Sequence, residues 1–203
     1  MIHKKTIKKL FQKKFWIFDM DGTLTIAAHD FPEIKKKLNL PQELDIIQGI
    51  QNLPIEIAQK KLIELNEIEL EIAKKSKLNP GVFQLLTKLK NENVHLGILT
   101  RNNRQNTIET LKAVQIDHFF KEDFILTRED CQPKPAPDGI LIFLDKTNLT
   151  EDLVVMVGDY IFDLEAGQKA GVQTLYFDPS SEFLFRNHAD FLISDFTNLI
   201  QEH

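Results

Sequence analysis

Phe15-Trp16-Ile17-Phe18-Asp19-Met20-Asp21-Gly22-Thr23-Leu24-Thr25 is the stretch whose reading decides the fold. Four bulky apolar residues in a row read as a fully buried strand, and the run stops abruptly at two carboxylates, a glycine and a threonine. In an open parallel α/β sheet ligands bind beyond the carboxyl ends of the strands, so Asp19 would stand where the first strand hands the chain to a site. Asp19 and Asp21, two residues apart, would face one small volume. Carboxylates that close repel each other unless a cation lies between them or one holds a proton. Taken alone, the stretch also reads as a plain Asp-Gly turn.

Working outward from it, further apolar runs end in polar groups. Thr100 closes Val94–Leu99, Lys134 lies between Pro133 and Pro135, and Gly158-Asp159 closes Leu153–Val157, with Asp163 four residues on. Between the first strand and residue 94 the pattern is helical. Asp30-Phe31-Pro32 reads as an N-cap with proline in the first turn of a helix to about Leu38. Pro41 is expected to open another helix to about Asn52. Pro54 opens a third, with Ile55, Ala58, Leu62, Leu65, Ile68 and Ile72 on one face, which Asn79-Pro80-Gly81 ends. Residues 26–79 hold no credible strand and interrupt an alternation that is regular from Gly81 onward. A helix carries Val82, Leu85, Leu86 and Leu89, followed by strand 94–99, a helix near 104–114, strand 124–126 and a helix opened by Pro137. Strand 153–157, helix 162–170, strand 172–177, a short strand at 190–193 and a last helix complete it. Strands separated by single helices imply a doubly wound parallel α/β sheet. The expected division is a core of residues 1–25 and 80–203 with a small all-helical insertion at 26–79.

The order Asp-x-Asp-Gly-Thr, strand-end Thr, Lys, then Gly-Asp with a second Asp resembles the haloacid dehalogenase superfamily in its phosphatase branch, phosphoglycolate phosphatase-like enzymes in particular, over about residues 15–178. The resemblance implies that these motifs converge at one sheet edge beneath the insertion, which would act as a cap. It gives Asp19 the role of nucleophile, forming an aspartyl-phosphate, and Asp21 that of general acid and then base. Lys134 would place a positive charge between Asp19 and the phosphate. Mg²⁺ would be held by the Asp19 and Asp159 carboxylates and the main-chain carbonyl of Asp21, with Asp163 behind them, acting through a water or by orienting Lys134. Thr23 would fix the loop carrying Asp21. Thr100, with N–H groups near Arg101 and Asn102 at a helix start, would bind phosphate. Relatives often have Asn directly after this Thr, whereas here Arg101 intervenes. A guanidinium there suits bidentate phosphate recognition.

The 203 residues suffice for one α/β domain with a modest insertion. A net charge of −5 argues against nucleic acid as a general partner. The single cysteine, Cys131, fits a reducing compartment. No apolar stretch approaches a membrane span. Lys4, Lys5, Lys8, Lys9, Lys13 and Lys14 precede an apolar run too short for a secretory leader and read as a solvated leading segment. None of the six histidines falls in a motif; His29 lies at the hinge before the insertion, and no zinc-type ligand spacing is present. The expectation is a cytoplasmic Mg²⁺-dependent phosphatase acting on a small phosphate ester, monomeric or homodimeric, with no nucleic-acid or membrane partner. A phosphomutase of the same superfamily keeps all four motifs and is the alternative within enzymes. A phospho-accepting receiver or a silent binding protein on this type of fold is the alternative outside them. Receivers lack Asp-x-Asp-Gly-Thr and a fifty-residue helical insertion.

Overall fold

The computed structural model describes residues 8–28 and 30–201, so the expectations for Lys4, Lys5 and His29 lie outside the described residues. Six strands form one sheet: β1 (Phe15–Phe18), β2 (His95–Leu99), β3 (Ile125–Leu126), β4 (Val154–Gly158), β5 (Gln173–Phe177) and β6 (Phe191–Ile193). Their spatial order is β3-β2-β1-β4-β5-β6 and every pairing is parallel. Crossovers of such a sheet place helices on both faces, which is why its strands read as unbroken apolar runs. All four residues of β1 are fully buried. Phe15 and Ile17 pack on one side with Met156 and Phe143. Trp16 and Phe18 pack on the other with Ile98, Val157 and Leu86.

The helices around this sheet are α4 (Val82–Asn91), α5 (Arg104–Ala113), α6 (Asp138–Thr147), α7 (Ile161–Lys169) and α8 (Phe196–Gln201), after α1 (Phe31–Lys37), α2 (Ile46–Gln51) and α3 (Ile55–Lys74). The first three fill the interval between Thr25 and Leu78 and build a separate core from Ile34, Leu38, Leu40, Ile46, Ile50, Ala58 and Leu65. The chain leaves and re-enters the sheet layer through a narrow neck. Thr25 bridges Leu78 in antiparallel fashion, Ile26 N–H donates to the Lys77 carbonyl at 2.8 Å, and Asn79 N–H donates to the Leu24 carbonyl at 3.0 Å.

Several sequence expectations are corrected in detail. The helix expected from Pro41 begins only at Ile46, because the Asp45 side chain caps it by accepting from Ile47 N–H at 3.0 Å. On α3, Ala58 and Leu65 are buried and Ile68 and Ile72 pack beside them, but Ile55 and Leu62 remain 72% and 38% exposed. A core made with two short partner helices is narrower than the apolar stripe. Lys13 is not solvated: it is buried and its Nζ donates to the Asp152 carbonyl. Burial lowers its pKa, against the opposing pull of Asp152 and Asp190.

Candidate active site

β1 lies between β2 and β4, so the loops after these three strands share one edge of the sheet. Asp19 follows β1 directly and is 8% exposed. Its Oδ1 accepts from Lys134 Nζ at 2.5 Å, and the same ammonium lies 2.6 Å from Asp163 Oδ1. Lys134, itself 3% exposed, thus joins the loop before α6 to both β1 and α7. Asp159 follows β4, and its Oδ1 accepts from the Thr23 hydroxyl at 3.1 Å. The other Asp163 oxygen accepts from Tyr160 N–H at 3.1 Å, so both of its oxygens are already engaged at the start of α7.

Two glycines make this crowding feasible. Gly22, at φ +89°, has a left-handed backbone, and a Cβ there would fall 2.2 Å from Asp159 Oδ2. A Cβ on Gly158 would fall 2.2 Å from the Cβ of Asp163. The loops after β1 and β4 can meet at Asp159 because Gly22 has no side chain, and the tight turn from β4 into α7 closes because Gly158 has none.

Asp19, Asp159 and Asp163 offer oxygens that lie within 4.8 Å of one another. Burial pushes the Asp159 carboxyl up to about 8, aided by repulsion from Asp19 and Asp163. Burial likewise raises Asp163 to about 6 against the opposing pull of Lys134, and it raises Asp19 against the same pull. For Lys134 burial works the other way, but the carboxylates of Asp163 and Asp19 outweigh it and hold the ammonium above its usual range. Burial and mutual repulsion keep these three acids from ionising together around the single Lys134 ammonium, a conflict that a divalent cation seated among their oxygens would relieve. The donors are hard oxygens, as Mg²⁺ requires. The residues therefore fit such an ion. Asp19 and Asp159 are the better ligands, since both Asp163 oxygens are already bonded.

The expected phosphate binders are arranged less simply. Thr100 is buried at the end of β2, and its hydroxyl oxygen accepts from Asn102 N–H at 3.1 Å, leaving its own proton to donate. Helix α5 starts at Arg104, in line with the helix expected near 104–114, but the Arg101 and Asn102 N–H groups do not stand at its start. Asn103 caps it by accepting from Asn106 N–H at 2.8 Å, so residues 100–102 form a loop ahead of it. The Asn102 side chain donates to Asp21 Oδ2 at 2.6 Å. Arg101 reaches Asp45 of the insertion at 3.5 Å and lies over the Phe162 ring, 5.1 Å from its centroid. Both have partners other than a phosphate here.

Sequence reasoning missed Asn79, taken only as a helix end. It is 6% exposed, and its Nδ2 approaches the carbonyls of Gly22, Thr23 and Thr25 at 3.1, 2.9 and 3.0 Å. The local signal was a polar residue directly before a proline at the return of the insertion. It missed also the polar seam by which α3 seats on the core: Asn66 accepts from Asn103 at 3.0 Å, and Glu69 accepts from Asn106 at 2.9 Å and pairs with Arg128 at 3.6 Å. A groove of about 690 Å³ between α1 and α3, lined by Ala28, Ile34, Ile68 and Ile72 among others, contains none of these site residues.

A buried carboxylate at the end of a central parallel strand, tied to a lysine and clustered with two more acids, defines a class of α/β enzyme with a nucleophilic or metal-binding aspartate. The chain belongs to the haloacid dehalogenase-like hydrolases, whose family model matches residues 16–177. It is 29% identical over 177 residues to an uncharacterised hydrolase of Saccharomyces cerevisiae, covering 86% of this chain and 78% of that one. It is 28% identical over 203 residues to the pyrophosphatase PpaX of Oceanobacillus iheyensis, covering 91% and 94%. A phosphorylated carbohydrates phosphatase of Thermotoga maritima is 25% identical over 179 residues, covering 79% and 82%. Among solved structures, a hydrolase from Pseudomonas syringae superposes with a TM-score of 0.75 at 23% identity over 93% of this chain and 97% of that one, a likeness of fold.

Proposed function

We propose that this protein is a Mg²⁺-dependent phosphatase that hydrolyses a small phosphate monoester through an aspartyl-phosphate on Asp19. The observation that carries the reading is Asp19 itself, buried at the end of the central strand and held at 2.5 Å by Lys134. Kinship with a pyrophosphatase and a carbohydrate-phosphate phosphatase supports phosphate esters as the substrate class.

A phosphate dianion repels an attacking anion, so the site must neutralise its oxygens while holding the nucleophile in line. Asp19 attacks phosphorus and the ester oxygen leaves with a proton from Asp21, which Asn102 orients. Asp21 then takes a proton from the water that cleaves the acyl phosphate, restoring Asp19. Lys134 offsets charge on Asp19 and on the phosphoryl oxygens, Asp163 fixes the lysine, and the Thr100 hydroxyl donates to phosphate. Asp19, Asp159 and the Asp21 carbonyl would hold Mg²⁺, which would supply the remaining charge neutralisation. Residues 26–79 serve as a cap over a core of residues 1–25 and 80–203, and choose among leaving groups. A cytoplasmic setting suits this chemistry. Among the described residues no helix is long and apolar enough to cross a membrane.

The test separates the two acids. Asp19→Asn should form no phosphoenzyme with any substrate. Asp21→Asn should still be phosphorylated by p-nitrophenyl phosphate, whose leaving group needs no proton, and should accumulate the intermediate while its steady-state rate on alkyl phosphates falls by about 10²–10⁴. Rapid quench with intact-mass analysis measures both. Label that survives Asp19→Asn overturns the mechanism.

A further inference from the structure

Arg101 is rooted in the loop after β2, yet its guanidinium rests on Phe162, which lies in the first turn of α7 directly after β4. In the sheet β2 and β4 flank β1, so they stand two interstrand spacings apart, about 10 Å. A guanidinium rooted beyond β2 that meets a ring rooted beyond β4 lies along the sheet edge at which the loop carrying Asp19 and Asp21 also emerges. The same guanidinium meets Asp45 Oδ2 of the insertion at 3.5 Å. Arg101 therefore bridges core and insertion from the residue next to Thr100, the candidate phosphate binder, so a group attached to a phosphate held there would lie within the region the bridge spans.

The bridge is built to be exchanged. Both side chains are 45% exposed, the contact is single and long, and ion pairs of that kind contribute little. Asp45 keeps a second task whatever Arg101 does, since its Oδ1 caps α2 through Ile47 N–H. A guanidinium resting 5.1 Å from the Phe162 ring centroid is partly anchored before any ligand arrives, which lowers the ordering cost of meeting an anion. A charge-assisted, bidentate contact to a carboxylate or phosphate is stronger than the single contact it would replace.

We infer that Arg101 is a specificity residue for a second anionic group on the substrate, a carboxylate or phosphate on the leaving group, with Asp45 as the counterion that this group displaces. The inference rests on the phosphatase reading above and narrows its substrate class to phosphate esters or anhydrides with an anionic leaving group.

The test compares phosphoglycolate and inorganic pyrophosphate with ethyl phosphate, which lacks the second anion. The wild-type enzyme should favour at least one of the first two over ethyl phosphate by tenfold or more in kcat/KM, and the preferred one tells carboxylate from phosphate. Arg101→Gln should lower that ratio about tenfold, chiefly through KM for the anionic substrate, because a site built for a charged partner discriminates by that partner. Asp45→Asn should raise the ratio by removing the competing carboxylate. If Arg101 were only a latch, Arg101→Gln would change all substrates by the same factor, and an unchanged ratio overturns the inference. Calorimetric binding of phosphonoacetate against ethylphosphonate repeats the comparison without turnover. Selective binding lost in Arg101→Gln would uphold the anion site even if no ester were hydrolysed, a result that would sink only the phosphatase reading. Equal binding of ethylphosphonate with both phosphonoacetate and methylenediphosphonate, the analogue with a phosphate-type second anion, would overturn the inference itself.

Discussion

Replacing Asn79 should show how far the nucleophile loop depends on the neck of the insertion. The Asn79 amide nitrogen has two protons, yet three carbonyls lie within 3.1 Å of it, so at least one proton is shared. Asn79→Ala takes this donor from the Gly22 and Thr23 carbonyls, while the Thr25 carbonyl still accepts from Gly22 N–H at 2.8 Å, at about 1–2 kcal/mol for each of the two where water does not enter. A total loss of about 2–4 kcal/mol follows, which for a chain of this size lowers Tm by roughly 5–15 °C. Asn79→Asp is the sharper variant. It keeps the shape but turns a carboxylate oxygen toward three carbonyl oxygens, and should destabilise at least as much as alanine. Gly22 and Thr23 belong to the loop that carries Asp21, so kcat should drop by roughly 10–100-fold in whatever fraction stays folded, since misplacement of a reacting group by a fraction of an ångström is costly. Thermal unfolding by circular dichroism and steady-state kinetics at 15 °C measure the two effects separately. An Asn79→Asp variant within 2 °C of the parent, with normal turnover, would refute the reasoning.

Removing metal should expose the acid cluster as a pH dependence of stability. With Asp163 pushed up to about 6 and Asp159 to about 8, the folded protein holds protons that an unfolded chain, with carboxyls near 3.8, has released. In EDTA, Tm should fall as pH rises from about 4 through 8, and saturating Mg²⁺ should flatten the slope while restoring turnover. A flat profile in EDTA, or full activity there, would count against the site. Excising residues 27–77 with a Gly-rich bridge across the neck should leave a folded core that retains some p-nitrophenyl phosphate hydrolysis and discriminates poorly among esters. An unchanged substrate profile in that variant would deny the insertion its selecting role.

The parts legible in sequence were those governed by local pattern. Phe15–Phe18 is a strand because all four side chains are buried on both faces of a parallel sheet, and the Asp30 cap and the Pro54 helix start follow from chemistry within one turn. The strand-end polar groups Asp19, Thr100 and Asp159 could be placed at one edge because parallel topology brings strand ends together. What escaped were pairings that only three-dimensional packing decides. The Lys134–Asp19 link, across 115 residues of sequence, and the place of Asp163 beside it were anticipated only through the family resemblance and not from anything near either residue. Asn79 resembles any polar residue before a proline until the carbonyls around it are located. Arg101 was expected at the phosphate because it follows Thr100, but its direction depends on the Phe162 ring across the sheet. A boundary slipped where a side chain captured a helix start, as Asp45 does for α2.

The two-residue neck has an evolutionary meaning. Because Thr25 and Leu78 already touch, the segment between them closes a loop whose ends the sheet holds together. The entropic cost of such a closure grows only with the logarithm of its length, about 0.6 kcal/mol for each doubling. A lineage could therefore lengthen, shorten or exchange everything from residue 26 to 77 without disturbing a single rung of the six-stranded ladder. If the insertion chooses the substrate as proposed, the specificity of the enzyme and the stability of its framework are inherited on separable stretches of sequence, with Asn79 and Arg101 where the two must still agree.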